Sequence, residues 1–160
     1  MFGLRQAAGQ SHGASKHQAM ETTPLTRFDR DWAMYAHLAG LLALTNFPFV
    51  NIIAVLAVYL KVRNNESAFA LSHARAALNF QLTFAIFSFA FFPVLFYCWI
   101  SMFTLGNVTT PPVALLTTLA ITLLAGLAAG VFYVACCILG AIAASNGRPY
   151  NYPIAVPFVH

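Results

Sequence analysis

The stretch Ser72-His73-Ala74-Arg75-Ala76-Ala77-Leu78-Asn79-Phe80-Gln81-Leu82-Thr83 packs hydrogen-bonding and ionisable side chains into an otherwise apolar part of the chain. At about 100° per residue, Ser72, Arg75, Asn79 and Thr83 share one face of a helix. Unpaired amides are costly in or just below lipid headgroups, so Asn79 and Gln81 are expected to bond to other helices or to a neighbouring hairpin. The bland reading of this face is interhelical glue, and the functional one is a polar vestibule for a polar substrate or partner peptide. His37 is the only ionisable residue inside the first apolar region. Intramembrane ionisable groups are candidates for proton or metal chemistry, although His37 lies five residues past Trp32, where a neutral imidazole can also bond to a carbonyl or headgroup. His37 and His73 could in principle be the axial pair of a b-type haem, but no motif supports this, and no cofactor or metal is expected.

Other chemistries have less to work with. The four acids, Glu21, Asp29, Asp31 and Glu66, all lie outside the apolar runs, and neither a nucleophile motif, nor paired carboxylates, nor a phosphate-binding glycine loop is present. His12 and His17 have no cysteine or carboxylate pattern around them. Cys98, Cys136 and Cys137 fall within apolar runs, and adjacent cysteines rarely bridge each other, so no disulfide framework is expected. The expectation is therefore a protein that is not an enzyme.

The elements that must position these residues are set by composition. Of 160 residues, 60% are hydrophobic and 8% charged, against roughly a quarter charged in soluble domains. The apolar runs exceed the ~20 residues that span a bilayer's hydrocarbon. The eight Lys and Arg give a formal charge of +4, but they make no basic stripe of the kind nucleic-acid binding needs, and topology accounts for them better. Residues 1–26 read as a disordered tail, with an organellar transit peptide as the alternative.

Trp32 to Leu60 is 29 residues without a formal charge, about 43 Å as one helix and too long for a ~30 Å hydrocarbon layer. Within it lie Asn46, Pro48 and Asn51, and Pro48 should break the helix. Either one kinked span or a hairpin of two half-helices follows. Charge favours the hairpin: Lys61, Arg63 and Arg75 in one loop, Arg148 near the end, and the tail's Arg5, Lys16, Arg27 and Arg30 then all lie on one side, whereas a single span divides them equally. Two long spans complete the bundle, about 76–105, interrupted by Pro93, and about 109–144, opened by Thr109-Thr110-Pro111-Pro112. The expected fold is all-α, a polytopic transmembrane bundle over residues 27–144, with an extended interfacial segment at 145–160 rich in Pro and Tyr. Gly126 and Gly130 form a small-xxx-small step suited to close helix packing, within the molecule or between molecules.

On these residues the chain resembles the DUF4870 family of small bacterial membrane proteins, related to the Tic20-like group. The resemblance rests on Trp32-Ala33-Met34-Tyr35-Ala36-His37-Leu38-Ala39-Gly40-Leu41, on Pro48 with Asn51-Ile52-Ile53, on His73 to Gln81, and on Gly147-Arg148-Pro149-Tyr150-Asn151-Tyr152-Pro153. Ala54-Val55 stands where the family usually has Gly-Pro, and Ser72 where an acid commonly precedes the His, so no His–carboxylate pair carries over. The resemblance implies a helical bundle of bacterial type and a remote kinship with a plastid protein-import component, but no established activity. The expectation is a bacterial inner-membrane, multi-pass protein with both termini cytoplasmic. It would serve as an accessory or assembly subunit of a membrane complex, with translocation as a candidate setting and a membrane-protein partner or a second copy. The alternatives are a small channel or carrier built on the broken first helix, and a haem or redox anchor.

Overall fold

The computed structural model describes residues 24–45, 47, 49–65, 67–105 and 113–160. The tail up to residue 23, Asn46, Pro48, Glu66 and the Thr109–Pro112 cap lie outside the described residues. Four α-helices and no strand are present among them: α1 (Arg27–Gly40), continued by a 3₁₀ turn (Leu41–Thr45), α2 (Val50–Arg63), α3 (Ala68–Leu105) and α4 (Val113–Ser145). The all-α expectation holds.

Local chemistry sets the helix ends. Thr26 and Asp29 form a capping box at α1: the Asp29 N–H donates to Thr26 Oγ1 (3.2 Å) and the Thr26 N–H to Asp29 Oδ2 (2.9 Å). Ser67 Oγ accepts from the Ala70 N–H (3.2 Å), so α3 begins at Ala68, about two turns before the expected start. Gly147, at φ +69°, closes α4: its N–H donates to the Ala144 carbonyl (3.0 Å) and that of Arg148 to the Ala143 carbonyl (2.9 Å), the paired bonds of a Schellman end. Pro93 lies inside α3, which continues through it.

The first apolar region is a hairpin. Ala33 near the start of α1 packs with Val62 at the end of α2, Ala70 at the start of α3 and Ala144 at the end of α4, so α1 runs antiparallel to α2 and α3 to α4. All six Lys and Arg among the described residues, Arg27, Arg30, Lys61, Arg63, Arg75 and Arg148, lie at or near this one end. At 14 residues each, α1 and α2 are about 21 Å long, whereas α3 and α4, at 38 and 33 residues, reach about 57 and 50 Å. The short hairpin therefore covers only the basic halves of the long helices.

Large side chains point outward and small or polar ones inward. The core is built from Ala36, Ala74, Ala77, Cys136 and Cys137 around Phe80, Tyr133 and Tyr152, while Phe87, Phe92, Trp99, Leu124 and Leu127 stand exposed. Two helices, α3 and α4, are long and apolar enough to cross a membrane. Only 11% of the most apolar window of α3 is buried within the protein, the reverse of a soluble core helix. Lipid satisfies those surfaces, and small interior residues let the helices approach closely.

Candidate functional site

The buried face of the C-terminal half of α4 carries Tyr133, Cys136, Cys137, Gly140, Ala141 and Ala144, a helical stripe of small and polar residues, while Val131, Phe132, Ile138, Leu139 and Ile142 on its other faces stay exposed. Against it α1 presents His37 and Gly40, α3 presents His73 and Gln81, and the chain after α4 turns back to insert Tyr152, which is 7% exposed. Two polar layers result.

In the lower layer, His37 is fully buried between two partners: its Nδ1 lies 2.8 Å from Tyr152 Oη and its Nε2 lies 2.8 Å from His73 Nδ1. A neutral imidazole has one donor and one acceptor nitrogen, so both bonds of the Tyr152–His37–His73 chain form when its protons all run one way, and the buried His73 Nε2 at its end makes no hydrogen bond. The Tyr152 ring stacks on Phe80 at 4.0 Å and 9°, and Tyr150 meets the His37 ring edge-on. Gly140 makes room for this: a Cβ there would stand 2.6 Å from His37 Nδ1. Burial pushes the Tyr150 phenol up to about 12 and that of Tyr152 higher still, so both stay neutral.

In the upper layer, Gln81 Oε1 accepts from Asn51 Nδ2 (2.6 Å) and lies 2.6 Å from Tyr133 Oη, whose proton it shares with the Gly40 carbonyl (2.5 Å). This joins the tip of the hairpin to α3 and α4. Gly40 is again a close approach, since a Cβ there would overlap the Gln81 amide. Gln81 Nε2 is buried and makes no hydrogen bond, with only the weak thiol acceptor of Cys137 beside it.

Of the residues singled out from sequence, His37, Asn51, His73 and Gln81 thus come together. Asn79 does not join them. Its Oδ1 accepts from the N–H groups of Phe158 (3.1 Å) and Val159 (2.8 Å), and its Nδ2 donates to the Val159 carbonyl (3.1 Å). Thr83, one turn on, accepts from the Val156 N–H (2.9 Å), so the shared polar face of α3 binds the C-terminal chain rather than another helix. Arg75 is half-buried, with its Nε unpaired. Asn46 and Pro48 lie outside the described residues. A Cβ on Gly126 would pack 3.3 Å from Phe91 of α3, whereas one on Gly130 would meet nothing within 4 Å, so only half of that step is used inside the molecule. From sequence, Gly140 with Ala144 extends the small-residue step suited to close helix approach, but Tyr133 and Tyr152 were passed over as site residues. The stripe at 133, 136, 137, 140 and 144 was the available signal for Tyr133.

Chemically the cluster bonds mainly to itself, with Gln81 Nε2 and His73 Nε2 left unpaired. The two imidazoles bond directly, 2.8 Å apart, with no space for an iron and its porphyrin between them, which would hold the nitrogens ~4 Å apart at ~2 Å per metal–nitrogen bond. Among the described residues no three His, Cys, Asp or Glu side chains gather as a metal site.

A family model for magnetosome magnetite crystal formation proteins, MamF/MmsF, matches residues 28–159. The chain belongs to that family. Neither a curated protein nor a solved structure matches it. The match corrects the DUF4870 and Tic20-like resemblance: the four segments that carried it fall within or at the edge of one continuous stretch assigned to a different family. Those segments mark helix boundaries and buried polar contacts, features that small helical membrane proteins hold in common. The link to protein import rested on that resemblance alone and goes with it. Membership agrees with the two apolar spans in making this a membrane protein.

Proposed function

We propose that this protein is a non-enzymatic accessory component of the membrane in which magnetite crystals form, acting through helix packing with membrane partners or further copies of itself. The observation that carries the reading is the combination of the family match over residues 28–159 with a polar interior whose groups bond mainly to one another, leaving lipid-facing helix surface as the part free to act. Its orientation follows from charge. The basic residues gathered at one end belong in the cytoplasm by the positive-inside bias, with the chain ends beside them and the α3–α4 connection on the other side. The membrane is then the bacterial inner membrane or one continuous with it.

Deleting the gene in a magnetite-forming bacterium and restoring it tests the role. Electron microscopy should show smaller or fewer crystals in the deletion and recovery with the intact chain. Crystals of unchanged size and number would end the proposal. A pull-down in mild detergent with mass spectrometry then separates a stoichiometric partner from self-association, and purely monomeric protein would remove the packing mechanism.

A further inference from the structure

A cleft of about 390 Å³ opens beside the hairpin tip, where Phe47 and Phe49 face Phe84 and Phe89 of α3 and Gly130 of α4. Its floor is polar: Asn51, Gln81 and Tyr133 line it, Ser88 lies on its wall, and among the described residues no Lys, Arg, His, Asp or Glu does. Arg75 is the last charged residue of α3, and Gln81 and Phe89 follow it by about 9 and 21 Å along the helix, which straddles the middle of a ~30 Å hydrocarbon layer. Hydrogen-bonding groups open to that depth are costly without a partner. Gln81 is 1% exposed: its Oε1 lies beside Asn51 and Tyr133 at the floor, while its unpaired Nε2 is turned toward Gly40 and Cys137 behind it. α2 starts at the same place from a left-handed Phe49 (φ 62°) without a side-chain cap, so its positive end also faces the cleft.

We propose that this cleft binds a neutral, membrane-dissolved amphiphile, its carbonyl or hydroxyl head on the Gln81–Asn51–Tyr133 floor and its apolar body between the phenylalanines. The volume suits a small ligand. An anion would find no cation to pair with, and a cation no acid, so the head is uncharged. The side opening faces lipid, which supplies such molecules directly.

The test uses the full chain in phosphatidylcholine nanodiscs, a diazirine-bearing long-chain alcohol as the photoprobe, and peptide mapping by mass spectrometry. Labelling should saturate, be displaced by unlabelled alcohol, and map to residues 43–52 and 81–89. Gly130→Leu fills the cleft where a new Cβ meets nothing, and it should weaken labelling roughly tenfold. Ala85→Phe, on the opposite wall, should do the same. Labelling that never saturates, that spreads evenly along α3 and α4, or that survives in correctly folded forms of both variants overturns the proposal. So does stronger labelling by the matching fatty acid, which would mean a charged head. Should both variants aggregate, saturation and the peptide map of the unaltered chain decide alone.

Discussion

Replacing Gly140 by alanine adds one methyl group where α4 lies closest to the His37 ring. That Cβ would stand 2.6 Å from Nδ1 and 2.9 Å from Cγ and Cε1 of His37, whereas carbons pack best at about 3.5–4.0 Å. The imidazole cannot yield freely, because Tyr152 and His73 hold its two nitrogens at 2.8 Å each. Overpacking of this kind costs about 1–3 kcal/mol, and each buried hydrogen bond lost adds about 0.5–1.5 kcal/mol. Alanine's better helix propensity returns up to ~1 kcal/mol. A net loss of about 3 kcal/mol lowers Tm by roughly 6–12 °C in a chain of this size. Gly130→Ala is the matched control, with the same chemistry on the same helix and nothing within 4 Å of the new Cβ. It should leave Tm unchanged or raise it by at most ~4 °C. Both melts are to be run in one detergent at one scan rate, followed by circular dichroism. Equal shifts for the two variants would refute the view that Gly140 is held open for the His37 ring.

Tyr152→Phe keeps the ring stacked on Phe80 and removes only the hydroxyl, so it should cost about 1 kcal/mol, against about 3–5 kcal/mol for Tyr152→Ala; detergent melts compare the two, and equal losses would deny the stack its share. Asn79→Ala removes three bonds to Phe158 and Val159, so the last residues should become sensitive to carboxypeptidase, while unchanged protection would mean that the clip is unimportant. Thr26→Ala removes the α1 cap and should cost about 1 kcal/mol, read in the same melts. Partial burial works against the Asp29 carboxylate, but hydrogen bonds with Ser67 and with the Thr26 N–H and hydroxyl outweigh it and hold its pKa below the ordinary value. With the folded value the lower one, this stabilisation is complete above the unfolded value of about 4 and is lost as pH falls through the folded one; a flat stability profile below pH ~4 would contradict it.

The hairpin could be read in the sequence because Pro48 interrupts an overlong apolar run and the basic residues gather on one side only if that run returns. The two long helices declared themselves by length. Which polar groups meet was less legible, since the decisive contacts join residues far apart in the chain: His37 with Tyr152, Gln81 with Tyr133, Asn79 with Val159. Helical periodicity put Asn79 and Thr83 on one face but could not say that the C-terminal chain, with its run of prolines, folds back to meet them. His37 and His73 were considered together only as possible axial ligands of a haem iron, whereas the 2.8 Å separation shows a direct bond. The family was misjudged because boundary tryptophans, a helix-breaking proline and buried amides answer to the bilayer and recur wherever short helices meet long ones.

The central claim is a bilayer-embedded bundle with every basic flank on one side. In bacterial cells expressing the chain with Cys98, Cys136 and Cys137 replaced by alanine, single cysteines at Arg5 and at Val108 can be probed with a membrane-impermeant maleimide. Labelling of the Val108 position in intact cells, and of the Arg5 position only after the membrane is opened, is the predicted result. Labelling of the Arg5 position in intact cells, or recovery of the protein in the soluble fraction, would contradict it.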